Sequence, residues 1–243
     1  MLKPAVVEFS GVFCLTFMVT VARGGSLQSF GMCLFLLYAA ITFAVQRVSS
    51  GQLNPALSIS LLLARGTTFG RAIGLFIAQV AGSLAGGFAA KAIGRSAMPT
   101  LMPGNLVAGA VCEVMIAFAV AFAFCSLTLS PSAPKFVLGT CIAGILLAYT
   151  LVTYRVSGAC GNLIFFLGPA IANMRFGIEW AIYPAAHIFG SALACLAFGL
   201  FTKRTFQPKD DSTVEEALSE VPPVESGRAS QSLRASQTSK KTE

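Results

Sequence analysis

The sequence predicts an all-α membrane protein built as an inverted repeat, with six transmembrane helices and two re-entrant half-helices. Three observations predict it. Charge is scarce: 55% of the 243 residues are hydrophobic and 11% are charged, against about 25% charged in a soluble domain. Six apolar runs are long enough to cross a bilayer, and two more are about half that length. The order span, span, half, span occurs twice.

In chain order, spans are expected at about 5–22, 30–48, 70–92, 106–129, 136–154 and 178–202. The short stretches fall at about 54–64 and 162–173. About ten residues at 1.5 Å each reach only half the hydrocarbon core, so these read as half-helices that enter and turn back. Asn162 follows Asn54 by 108 residues, and the same spacing relates Arg155-Val156-Ser157 to Arg47-Val48-Ser49, Gly190-Ser191 to Gly82-Ser83, and His187 to Gln79. Glu113 follows Glu8 by 105, so loop length changed by three within each half. With three spans per half, tandem copies insert in opposite orientation. The membrane domain is therefore 1–202, with repeats at about 4–92 and 106–202. Residues 203–243, rich in Ser, Lys and Glu, read as a disordered cytosolic tail.

The charge that exists is segregated. Of the ten acids only Glu8, Glu113 and Glu179 precede residue 203, where ten Lys/Arg give a net +7 (10 − 3). These basic residues read as lipid-headgroup flanks, not as a nucleic-acid surface. With both termini cytosolic, seven basic residues face inside (Lys3, Arg47, Arg65, Arg71, Lys135, Lys203, Arg204) and five outside (Arg23, Lys91, Arg95, Arg155, Arg175), the expected bias. The N-terminus does not read as a signal peptide, because Glu8 interrupts its apolar run and no small-residue cleavage site stands out. The seven cysteines lie scattered in apolar segments without metal or redox spacing and read as core residues, with Cys160 standing apart in the second special loop. Gly82, Gly86, Gly87, Gly190, Ala194 and Gly199 suit close helix crossings, and Trp180 and Tyr183 suit a membrane interface.

Asn54, Pro55 and Ala56 open the first short helix: Asn is a strong N-cap and Pro is favoured at the first helical position. Asn162, Leu163 and Ile164 open the second. Two helix N-termini facing each other at mid-membrane disfavour cations, while the Asn amides offer donors to a neutral solute. The physics points to a narrow conduit for small uncharged molecules.

The chain resembles the aquaporin, or major intrinsic protein, family. The likeness runs over residues 4–202 and rests on Glu8 in AVVEFSGVF, SGQLNPA, Gln79 in FIAQVAGSLAG, Glu113, SGACGN, Gly168-Pro169-Ala170 and WAIYPAAHIFGSALA. It implies one pore per subunit and a homotetramer. It also implies that Glu8 and Glu113 are buried on loop N–H groups, as an intramembrane carboxylate requires. Gln79 and His187 are then structural core polar residues.

The family's second motif is usually Asn-Pro-Ala-Arg. Here Leu163 and Ile164 stand for Pro-Ala, and Phe165 stands for the pore Arg. The remaining filter positions match Leu34, Thr150 and Ala159. Leu163 should be mild, since the cap remains. The loss of Arg removes a fixed charge and several donors, which should weaken proton exclusion. If Phe165 turns aside, the opening is wider and favours glycerol, urea or ammonia. If it points inward, the pore is pinched or dewetted.

The expected function is a passive channel for water or small uncharged solutes, in a plasma or organelle membrane. The alternative is a closed member with a structural role. A coupled transporter would need ionisable groups along the path, and only Glu8, Glu113 and His187 lie well inside spans. No nucleophile–base pair, paired carboxylates or ligand spacing suggests an enzyme, a cofactor or a metal.

Overall fold

A computed structural model describes residues 2–129 and 135–202. The expected tail lies outside the described residues. Eight helices occur among them: α1 (Leu2–Arg23), α2 (Leu27–Ser49), α3 (Pro55–Leu63), α4 (Phe69–Ala92), α5 (Leu106–Thr128), α6 (Lys135–Ser157), α7 (Ile164–Ala172) and α8 (Glu179–Thr202). Six are long and apolar enough to span a membrane; α3 and α7, with nine residues each, are not. Large apolar side chains such as Leu36, Ile77, Val111, Val152 and Leu196 cover the outside, which is where lipid replaces water.

Boundaries that differ from expectation by three residues lie outside it. Ser26 accepts from the Ser29 N–H and starts α2 three residues early. α6 runs three residues past the expected end, to Ser157.

The two halves pack as copies. α1 lies on α4 and α5 on α8; α1 on α2 and α5 on α6; α1 on α7 and α5 on α3; α4 on α7 and α8 on α3. α2 and α6 meet across the pseudo-axis. The glycine crossings obey the sequence offsets. A Cβ on Gly82 would stand 2.5 Å from Phe9 O, and one on Gly190 would stand 2.4 Å from Val114 O. The glycines differ by 108 and their partners by 105, so the three-residue change lies between helices and not within the packing. A Cβ on Gly168 would lie 1.9 Å from the Ser83 carbonyl oxygen, and one on Gly87 would lie 2.4 Å from the Gly168 carbonyl carbon. α4 therefore carries α7 at backbone contact.

That contact is also polar. Ser83 Oγ donates to Ile164 O at 2.6 Å and accepts from Gly168 N at 2.9 Å. The hydroxyl is inserted into the α7 ladder one residue before Pro169, which cannot donate. Six crossings leave Leu2 and Thr202 on one side, called proximal below; the opposite side is distal.

Candidate functional site: the paired re-entrant loops

Each half-helix is preceded by a tight loop, and the two loops are backbone copies. Left-handed φ values occur at Ser50 (70°), Gly51 (65°) and Leu53 (48°), and again at Gly158 (71°), Ala159 (48°) and Gly161 (61°). All three pairs differ by 108. Such a backbone costs a non-glycine residue roughly 1–2 kcal/mol, so something must hold it. At Gly158 only glycine fits, since a Cβ would stand 2.5 Å from both Thr100 N and Thr100 O.

The holding groups are the two buried glutamates. Glu8 accepts from Gln52 N (2.9 Å), Leu53 N (2.8 Å), Ser49 Oγ (2.6 Å) and Gln79 Nε2 (2.9 Å). Glu113 accepts from Cys160 N (3.0 Å) and Gly161 N (3.1 Å) and pairs with His187 Nε2 at 3.0 Å. Glu8, Gln79, Glu113 and His187 have no exposed surface. Gln79 and His187 occupy equivalent places and brace equivalent carboxylates. Glu113, Cys160 and His187 bring possible ligand atoms within 4.8 Å of one another. The imidazole Nε2 and both carboxylate oxygens are already hydrogen-bonded, so the chemistry of this cluster is that of a brace.

The caps are alike despite the changed sequence. Asn54 Oδ1 accepts from Ala56 N at 3.0 Å, and Asn162 Oδ1 accepts from Ile164 N at 3.2 Å. Leu163 has helical dihedrals (φ −58°, ψ −29°) and takes the position Pro55 holds in the other half. Asn162 Nδ2 donates to Leu53 O at 2.9 Å, tying the start of one half-helix to the start of the other. Asn54 Nδ2 has no protein partner among the described residues.

Leu34, Thr150, Ala159 and Phe165 are all at most 2% exposed. Leu34 and Phe165 belong to one contiguous apolar cluster with Phe30, Ile142 and Leu146, drawn from α2, α6 and α7. The Thr150 hydroxyl has no protein partner among the described residues.

Three assignments change. Tyr183 is not an interfacial residue: it is fully buried, donates to Ser157 O at 2.7 Å and packs edge-on against Phe166 at 5.0 Å. Trp180 is partly buried on the same ring. Arg23 is not a headgroup flank. It is 5% exposed, with Nη1 donating to Gly158 O at 2.5 Å and Nη2 to Ala159 O at 3.0 Å. Its guanidinium lies over the rings of Phe30 (4.4 Å) and Tyr154 (5.8 Å). Position at a helix end suggested a lipid-facing side chain; two left-handed residues in sequence present carbonyls that a guanidinium satisfies better than water. The only sequence signal was an Arg placed immediately before Gly24-Gly25. Arg71, also counted as a flank, is 4% exposed.

A duplicated three-span unit, with half-helices capped by Asn and loops anchored on buried Glu, defines an intrinsic membrane channel fold. The family comparison agrees: the profile "Major intrinsic protein" matches residues 7–198, and the chain belongs to that family, which comprises channels and not enzymes. Relatives include probable aquaporin TIP4-1 from Oryza sativa subsp. japonica, 34% identical over 176 residues, 68% of each chain. Probable aquaporin TIP-type alpha from Phaseolus vulgaris is 28% identical over 170 residues, and the chain spans 66% of its length and 68% of its own. Among solved structures, the aquaglyceroporin from Plasmodium falciparum superposes with a TM-score of 0.72 at 16% identity, covering 81% of this chain and 95% of that one; that likeness concerns the fold.

Proposed function

We propose that the chain is a passive channel for water and small uncharged solutes of the glycerol, urea or ammonia class, its pore running between α3 and α7. The observation that carries this is the Asn162–Leu53 hydrogen bond, which sets two capped helix N-termini side by side. Their partial positive charges oppose any cation, and a neutral solute loses little. Asn54 Nδ2 and Thr150 Oγ1, free of protein partners among the described residues, are the groups that replace part of the solute's hydration.

The narrow part is assigned to Leu34, Thr150, Ala159 and Phe165. With one hydroxyl among apolar walls it favours solutes less polar than water. Glycerol is carried by the structural neighbour's description. The family likeness supports homotetrameric assembly, which the mass of the protein in detergent tests, and the basic-residue bias supports cytosolic termini.

The test is stopped-flow light scattering on proteoliposomes under water, glycerol and urea gradients in turn. Flux above empty liposomes with weak temperature dependence is expected. No flux in any gradient would leave the structural, non-conducting reading in its place.

A further inference from the structure

Arg23 is the buried group that the capped half-helices do not use. A guanidinium enclosed at membrane depth is costly unless paired. No carboxylate pairs with Arg23 among the described residues, and its two hydrogen bonds both go to loop carbonyls. Those carbonyls belong to Gly158 and Ala159, and Ala159 is one of the four residues assigned to the narrow part.

The rings that flank the guanidinium point to the same place. Phe30 precedes Leu34 by one helical turn on α2, and Tyr154 follows Thr150 by one turn on α6. Both turns lead toward the distal end. The two rings approach to 5.9 Å at 58°, with Arg23 over both. Arg23 thus lies one turn distal to Leu34 and Thr150, reached from α1. Two of its five N–H groups donate to these carbonyls, and the guanidinium has no other hydrogen-bond partner among the described residues.

At the 105 spacing of the first helices, Arg23 corresponds to Thr128, whose buried hydroxyl has no partner among the described residues. An arginine at this place is not a requirement of the loop backbone, since the copy at Ser50, Gly51 and Leu53 forms with Thr128 there.

We propose that Arg23 is the fixed cation of the distal mouth, supplying from α1 the charge and donors that the chain lacks at Phe165. This rests on the channel reading above. It reverses the expectation of weak proton exclusion: the charge is displaced by a turn of helix, not absent. A cation or hydrated proton entering from the distal side meets it before the half-helix termini, while a solute oxygen finds an N–H donor.

The experiment uses the full chain in proteoliposomes, with neutral-solute flux and proton and potassium leak measured together. Wild type is expected to pass solute and exclude ions. R23C is expected to raise the ratio of ion leak to solute flux by about tenfold or more, whatever the lost donors change in the flux itself. Treating R23C in detergent with a trimethylammonium methanethiosulfonate before reconstitution restores a positive charge and should close the leak; a methyl methanethiosulfonate of no charge should not. Wild type treated with each reagent sets the background from the native cysteines. Should R23C fail to fold, R23Q, which keeps donors without charge, is compared with R23K, which keeps charge, and only R23Q should leak. Solute flux with wild-type ion exclusion in R23C or R23Q, or equal behaviour after charged and neutral labelling, overturns the role of Arg23 and leaves the channel reading intact. Absence of solute flux in wild type overturns both.

Discussion

Replacing Gly168 with Ala tests whether α7 is truly seated on α4 at backbone contact. The new Cβ would stand 1.9 Å from Ser83 O, and ordinary contact begins at 3.4 Å. The two helices must therefore part by about 1.5 Å (3.4 − 1.9). The obstacle is main chain, so no side-chain rotation relieves it. Separation on that scale breaks the Ser83 bridge, which joins Gly168 N at 2.9 Å and Ile164 O at 2.6 Å. Each buried group left unpaired costs about 1–3 kcal/mol, giving roughly 2–6 kcal/mol in all. For a chain of this size, at about 2–4 °C per kcal/mol, the apparent melting temperature in detergent should fall by on the order of 10 °C. Gly144→Ala is the control, because nothing lies within 4 Å of its Cβ; a helical Gly→Ala of that kind should stabilise by about 0.5–1 kcal/mol. Melting followed by size-exclusion fluorescence separates the two. If G168A melts within about 2 °C of wild type, the helices are not in the contact described and the reasoning fails.

Glu113→Gln leaves one carbonyl oxygen for the N–H groups of Cys160 and Gly161, so at least one loses a charge-assisted bond; a loss of about 2–4 kcal/mol is expected, with faster amide exchange at residues 160 and 161. Equal exchange in mutant and wild type would mean that the carboxylate does not hold the loop. Phe165→Ala removes the largest side chain assigned to the narrow part, and the glycerol-to-water flux ratio should rise several-fold in liposomes; an unchanged ratio would place the discriminating step elsewhere.

Much of this was legible because the determinants are periodic or repeated. The spacings of 108 and 105 recur in the packing, where Gly82 meets Phe9 as Gly190 meets Val114, since packing partners travel with their helices. The equivalence of Gln79 and His187 was likewise visible, and both brace a glutamate. What escaped depends on direction in space. Tyr183 has the composition of an interfacial residue, but its turn of α8 faces Ser157 and Phe166. Arg23 sits at a helix end like the other basic flanks, and only the left-handed pair at Gly158 and Ala159 reveals why it turns inward. Ser83 gave no signal at all as a member of the α7 ladder, because its role arises from a helix separated by eighty residues.

Glu8 and Glu113 grip main-chain amides, which every residue but proline carries. Anchorage and discrimination are thereby uncoupled: the side chains at Gln52 and Cys160, or at Pro55 and Leu163, can be exchanged without releasing the loops they ride on. The change from Pro-Ala to Leu163-Ile164 in the second half accordingly leaves the Asn162 cap and the Glu113 anchorage in place.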